Sequence, residues 1–116
     1  METDLVRHTS AGTALIGIGD DERGRIVRAN GALAELLAST PEALAGTLIC
    51  DHIHPADRSR ALDAFTQIVG DASGSYEGSG RLVGADGQVR HVAAYVTVVA
   101  TGTRQAALLR VAKRRV

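Results

Sequence analysis

The sequence predicts an α+β domain: a five-stranded antiparallel sheet with its helices packed on one face. Three observations carry this expectation. Two short strand-like runs open the chain, a helical middle with capped starts follows, and three strand patterns joined by tight turns close it. Consecutive strands joined by hairpins pair antiparallel, and helices grouped in mid-chain belong on one side of the sheet they interrupt. With 116 residues, of which 45% are hydrophobic, one compact core is expected and a second domain would not fit.

Each element has its own signal. The run "TALIGIG" (residues 13–19) is strand-like and "DDERG" after it has turn chemistry. Arg25 to Ala29 is the second strand, and Asn30 stands at the N-cap of "GALAELLA", where Leu33, Leu36 and Leu37 share a helical face. A second cap follows at Thr40, with Pro41 at the first helical position, Glu42 three after Ser39, and a stop at Gly46. From Pro55 a longer helix is expected, with Ala61, Leu62, Phe65, Ile68 and Val69 at threes and fours; Arg58, Arg60, Asp63 and Gln67 lie opposite, and Gly70 ends it. The remainder reads as "SYEGSGRLV", a turn at Asp86-Gly87, "VRHVAAYVTVVA", a turn at "TGTR", and "QAALLRVA". The domain is expected over 13–112, with 1–12 as a flanking segment and 113–116 as a basic tail or the start of a linker.

Alternation along the strands assigns their faces. Val92, Ala94, Val96 and Val98 form an apolar row and are expected inward; Tyr76, Gly78, Gly80 and Leu82 follow from the third strand, with Glu77, Ser79 and Arg81 outward. Gly78, Gly80 and Ala94 are small. Opposite Leu62 and Phe65 they leave either room for a small ligand or a close contact of helix on sheet. The candidate pocket residues are therefore Leu62, Phe65, Val69, Tyr76, Gly78, Gly80, Leu82, Ala94 and Val96. On the other face Val89, His91, Ala93, Tyr95 and Val99, with Ala106 and Leu108, leave an apolar patch on a bare sheet. Such patches mark interfaces, and the segment from Leu5 to Ala11 is too short and polar to cover this one. A homodimer through the outer sheet face is expected.

Charge and composition exclude several classes. Thirteen basic and thirteen acidic residues cancel, so no field favours nucleic acid or an anionic membrane. The longest apolar run, Val92 to Ala100, has strand length and no stretch approaches a membrane span. A single cysteine cannot form an internal disulfide, and "METDLVRH" has acids where a secretory signal carries positive charge. A cytoplasmic setting follows.

"CDHIHPADRSR" (Cys50 to Arg60) concentrates the reactive residue types. Zinc at Cys50, His52 and His54 lacks a fourth ligand at a customary spacing. Neighbours in sequence rarely converge as a nucleophile, base and orienting group, so neither Cys50 with a histidine nor Ser59 with His54 and Asp57 makes a catalytic site, and no enzyme activity is expected. Helix initiation explains the residues better. His54 is then the cap before Pro55, and Asp57 in the first turn reaches back to free backbone N–H groups. Losing it would cost roughly 0.5 to 2 kcal/mol, the range for capping interactions. His52 is expected exposed.

The order of these patterns resembles the PAS domain family of signalling modules. Arg25-Ile26-Val27 through Asn30 is similar to that family's second strand and Asn-capped helix. Thr40 to Gly46 resembles its short glycine-ended helix, and Ile53-His54-Pro55-Ala56-Asp57-Arg58 its His-Pro-x-Asp-Arg start to the long helix. Arg81-Leu82-Val83, Asp86-Gly87 and Val89 to Val92 resemble its central hairpin. The resemblance implies sensing, dimerisation or relay of a signal to an attached effector or partner protein, with any small ligand held between long helix and sheet. A ligand-free dimerisation scaffold is the alternative. Two departures stand out: Ala38-Ser39 replaces the Gly-Tyr pair that often ends the first helix, and Val111-Ala112-Lys113 replaces the Asp-Ile-Thr that commonly passes the signal on.

The resemblance also bears on cofactors. Flavin-binding relatives carry Asn-Cys-Arg-Phe-Leu-Gln, whereas Leu48 to Ile53 here surrounds Cys50 with other residues. Haem relatives place an axial histidine on or beside the long helix, which has none after His54. With three aromatics, Phe65, Tyr76 and Tyr95, to hold a planar group, neither flavin nor haem is expected. A small apolar or weakly polar metabolite, or no ligand, is.

Overall fold

The computed structural model describes residues 11–18, 24–69, 74–101 and 104–114. Expectations for residues 1–10, the turn at 19–23, the stop at Gly70, the loop tip at 102–103, the last two residues and the Val69 side chain fall outside the described residues. In chain order the elements are β1 (Gly12–Gly17), β2 (Ile26–Ala29), α1 (Gly31–Leu36), α2 (Pro41–Leu44), 3-10 turns at Ile49–His52 and Pro55–Asp57, α3 (Arg58–Val69), β3 (Ser75–Val83), β4 (Val89–Thr101) and β5 (Arg104–Lys113). The strands form one antiparallel sheet in the order β2-β1-β5-β4-β3. The expected α+β architecture is what folds.

Register explains the core. Ala14 pairs with Leu109, Ile16 with Ala107, Leu109 with Val96, Val96 with Tyr76, and Val111 with Ala94, so the inward rows run continuously across four strands. Paired residues share a face, and Leu33 of α1, Leu37 at its C-cap and Leu44 of α2 close this one. Gly12 lets α1 approach β1: a Cβ there would lie 2.7 Å from the Leu33 Cα. That half of the core is tightly filled. Under α3 the packing is looser, with Phe65, Ala94, Val96 and Val98 only partly buried.

Local chemistry sets the helix ends. The Asn30 side-chain oxygen accepts the Leu33 N–H at 2.9 Å, as an N-cap does. The same oxygen accepts the Thr13 N–H at 2.9 Å and the side-chain nitrogen donates to the Ala11 carbonyl, so Asn30 also ties α1 to β1. Thr40 Oγ1 accepts from the Ala43 N–H, and Gly46 follows α2 at φ +90°. Beyond α1, Ala38 takes φ +51° where a glycine is usual. The hairpin between β3 and β4 turns through Gly87 at φ +80°. Where a continuous helix was expected from Pro55, Pro55–Asp57 forms a 3-10 turn that leads directly into α3.

β3 is an edge strand, and residues 53–57 cover part of that edge. Ile53 bridges to Leu82, and the His54 N–H donates to the Arg81 carbonyl at 3.0 Å. This satisfies groups that an open edge would expose. It also corrects the expected direction of Arg81: its guanidinium does not extend into solvent but returns around the edge to Asp57.

Candidate functional site

Between α3 and the sheet lies a cavity of about 130 Å³. Ala61, Ala64, Phe65 and Ile68 come from α3, Ile49, Cys50 and Ile53 from the segment before it, and Ile16, Tyr76, Ala94, Val96, Ala107 and Leu109 from the sheet. Among the described residues no charged side chain lines it. A second cavity of about 90 Å³ shares Ile49, Ile53, Ala61, Tyr76, Ala94 and Leu109 with the first and runs past Gly80, Leu82 and Val92 toward Asp57 and Arg81. The pair forms an apolar cleft with a charged end.

The structure brings most of the expected pocket residues together. Leu62, Phe65, Tyr76, Ala94 and Val96 line the larger cavity, and Gly80 and Leu82 the smaller. Leu62 sits at the rim, 48% exposed, because Ala61, Ala64, Phe65 and Ile68 make the stripe that faces the sheet. Gly78 needs a correction: it lines neither cavity, because the Tyr76 ring folds over it and a Cβ at Gly78 would meet the phenolic oxygen. Its smallness makes room for a tyrosine rather than for a ligand. Ile16, Gly24, Ile68, Ala107 and Leu109, together with Ile49, Cys50, Ile53, Ala61 and Ala64, line the larger cavity without having been expected there. The helical signal for Ala61 and Ala64 was present at i and i+3; the segment from Ile49 to Ile53 carried none.

The reactive cluster is structural. His54 Nδ1 accepts the Ala56 N–H at 3.1 Å, the expected cap. Asp57 is different from the expectation, since among the described residues it accepts no backbone N–H from its own helix and has there only the Arg60 guanidinium, 3.5 Å away. Only 7% exposed, it takes the Arg81 backbone N–H at 3.0 Å, Nε at 3.1 Å and Nη2 at 2.9 Å. The edge-strand N–H of Arg81 lies outward toward this carboxylate, which explains the choice of partner. These hydrogen bonds from Arg81 hold the Asp57 carboxyl down at about 2, well below its ordinary 3.8.

His52 is half-buried rather than exposed, with Nε2 2.9 Å from Thr47 Oγ1. The Thr47 hydroxyl spends its one proton on the Leu44 carbonyl, so His52 Nε2 is the donor. Burial lowers the His52 pKa and raises that of Cys50, which favours neutral imidazole and protonated thiol. Neither is prepared as a charged ligand or nucleophile. Among the described residues no three His, Cys, Asp or Glu are grouped to hold a metal.

On the outer face Val89 is 44% exposed, and Tyr95 and Leu108 are each 39% exposed. His91 and Ala93 are exposed as well, and Val99 is partly buried. The Arg110 guanidinium stands 5.9 Å from the centre of the Tyr95 ring. Ala106 departs from the expected patch and is buried, its short side chain lying in register between Gly17 and Val99 on interior strand β5. Among the described residues no helix is long and apolar enough to cross a membrane.

Known proteins agree with this architecture. The PAS fold family model matches residues 26–109. The PAS domain of a protein from Colwellia psychrerythraea is similar at TM-score 0.81 and 14% identity, covering 97% of this chain and 93% of that one. A PAS domain of a two-component sensor histidine kinase is similar at TM-score 0.74 and 16% identity, and that of an HTR-like protein from Haloarcula marismortui at 0.77 and 12%, with the same coverage. No curated protein matches the sequence. At these identities the solved structures speak to the fold, while the family model matches most of the sequence itself, and by that match the chain belongs to the PAS fold family.

Proposed function

We propose that this chain is a non-enzymatic sensory module whose signal is a small apolar molecule bound between α3 and the sheet. PAS domains serve in sensing and signalling, and one of the similar structures belongs to a sensor histidine kinase. The observation that carries the reading is the cavity of about 130 Å³ whose wall has no charged side chain among the described residues. Apolar cavities of about 150 Å³ stay dry and accept benzene, which sets the ligand's size and chemistry. Drug-sized ligands occupy roughly 300 to 1,000 Å³, so the volume argues against flavin or haem. Binding would act on α3, which is the less tightly packed side of the core, and from there on a partner or an attached effector. The single cysteine, held as a neutral thiol, suits a reducing cytoplasmic setting.

The test is native mass spectrometry of protein purified without denaturation, together with thermal scans in benzene and indole. A bound small molecule, or a melting temperature raised by either probe in wild type and not in Ala94→Leu, is expected. A filled, ligand-free protein that responds to neither probe would refute the reading. A second reading, self-association through the outer sheet face, is favoured by the exposed Val89, Tyr95 and Leu108. The two are compatible, since the cavity and the patch lie on opposite faces of the sheet.

A further inference from the structure

We propose a second binding site, for a phosphate group, in the groove that adjoins the charged end of the apolar cleft and runs from the β3 edge across β4 to Arg114. The groove encloses about 280 Å³ and is lined by Asp57, Arg60, Ser79, Gly80, Arg81, His91 and Arg114. Three arginines therefore share the groove with one aspartate, and the chain as a whole is neutral.

The three arginines are not equally engaged. Arg81 is spent on Asp57, which it holds through Nε and Nη2. Arg60 is loosely held: its Nη2 lies 3.5 Å from Asp57 and 3.3 Å from the Ser79 carbonyl, both near the limit of such contacts, and its side chain is 62% exposed. The backbone N–H of Arg114 donates to the His91 carbonyl at 2.8 Å, which anchors the residue beside β4. Its guanidinium makes no ion pair among the described residues, and neither does the His91 ring. Two guanidiniums and an imidazole are thus left in one groove with unfilled donor capacity.

They arise from three separate places, α3, β4 and the residue that follows β5, so they approach the groove from different directions. A tetrahedral phosphate presents acceptors in several directions, whereas a carboxylate presents one edge. Asp57 does not cancel the charge of the other two arginines, because Arg81 already balances it. The expected ligand is inorganic phosphate or a small phosphomonoester, held by charge-assisted hydrogen bonds that weaken with salt.

The test is calorimetry and thermal scanning with inorganic phosphate and, in a second arm, glycerol 3-phosphate, against sodium chloride matched in ionic strength and malonate as a dicarboxylate. Saturable binding in either phosphate arm is expected, and the tighter arm identifies the source. Arg60→Ala and Arg114→Ala, both exposed, should each weaken it at least tenfold, while Ala94→Leu in the cavity leaves it unchanged. Stabilisation no greater than that of chloride, equal binding of malonate, or unchanged affinity in both arginine variants would overturn the proposal. Arg81 is left intact because removing it would strand the buried Asp57.

Discussion

Replacing Asp57 by asparagine tests how residues 53–57 are locked to the sheet. Asparagine keeps the shape and one acceptor oxygen, so the change reports on the charge that receives three N–H groups of Arg81. The folded carboxyl sits at about 2 against an ordinary 3.8. At about 1.36 kcal/mol for each pH unit, that difference corresponds to about 2.4 kcal/mol at neutral pH. Because the Arg81 side chain is 35% exposed, water screens part of this. A loss of about 2 kcal/mol is expected, or about 10 °C in melting temperature for a domain of this size. The pH dependence follows from the downward direction of the shift. The stabilisation is complete above the unfolded-state value near 4 and fades as pH falls through the folded value near 2. The gap between wild type and Asp57→Asn should shrink to about 1 kcal/mol near pH 3 and below about 0.5 kcal/mol at pH 2. Urea unfolding of both proteins across this range measures it. A gap under 0.5 kcal/mol at pH 7, or one that stays flat as the carboxyl protonates, would refute the argument.

Three further outcomes are expected. Ala38→Gly should stabilise the protein by about 0.5 to 1 kcal/mol in urea titrations, since a glycine at φ +51° avoids a strain that only partly trades against its greater unfolded-state freedom; an unchanged midpoint would argue against strain there. Asn30→Ala should cost about 2 to 3 kcal/mol, more than an ordinary cap, because the Thr13 N–H loses its partner together with that of Leu33. A loss near 1 kcal/mol would mean that only the cap matters. Sedimentation should find a concentration-dependent dimer that Tyr95→Glu dissociates without changing the melting temperature of the monomer; a wild-type protein monomeric at every concentration would remove the outer face as an interface.

Much of this fold was legible because its signals are local. Asn30 and Thr40 precede their helices with side chains that accept backbone N–H groups, His54 precedes Pro55, and Asp86-Gly87 marks a turn; each needs only neighbours a few residues away. The alternation of Val92, Ala94, Val96 and Val98 likewise assigned an inner face from spacing alone. The site was legible only in part. Phe65, Ala94 and Val96 were found because their spacing aimed them at one another, whereas Leu62 was overvalued because its apolarity hid its position at the margin of the helical stripe.

What the sequence alone determined about this protein is the order of its elements, their caps and turns, the inner face of the sheet, and through these its membership of a fold family. Tertiary structure decided which distant groups became partners. It joined Asp57 to Arg81 across 24 positions, turned Gly78 into a bed for Tyr76, and drew Cys50 and Ile53 into the cavity wall. The physical reason is one of range. Capping and alternation are set by the geometry of a single turn or strand, while an edge strand's open N–H group takes whichever acceptor the rest of the chain delivers to it.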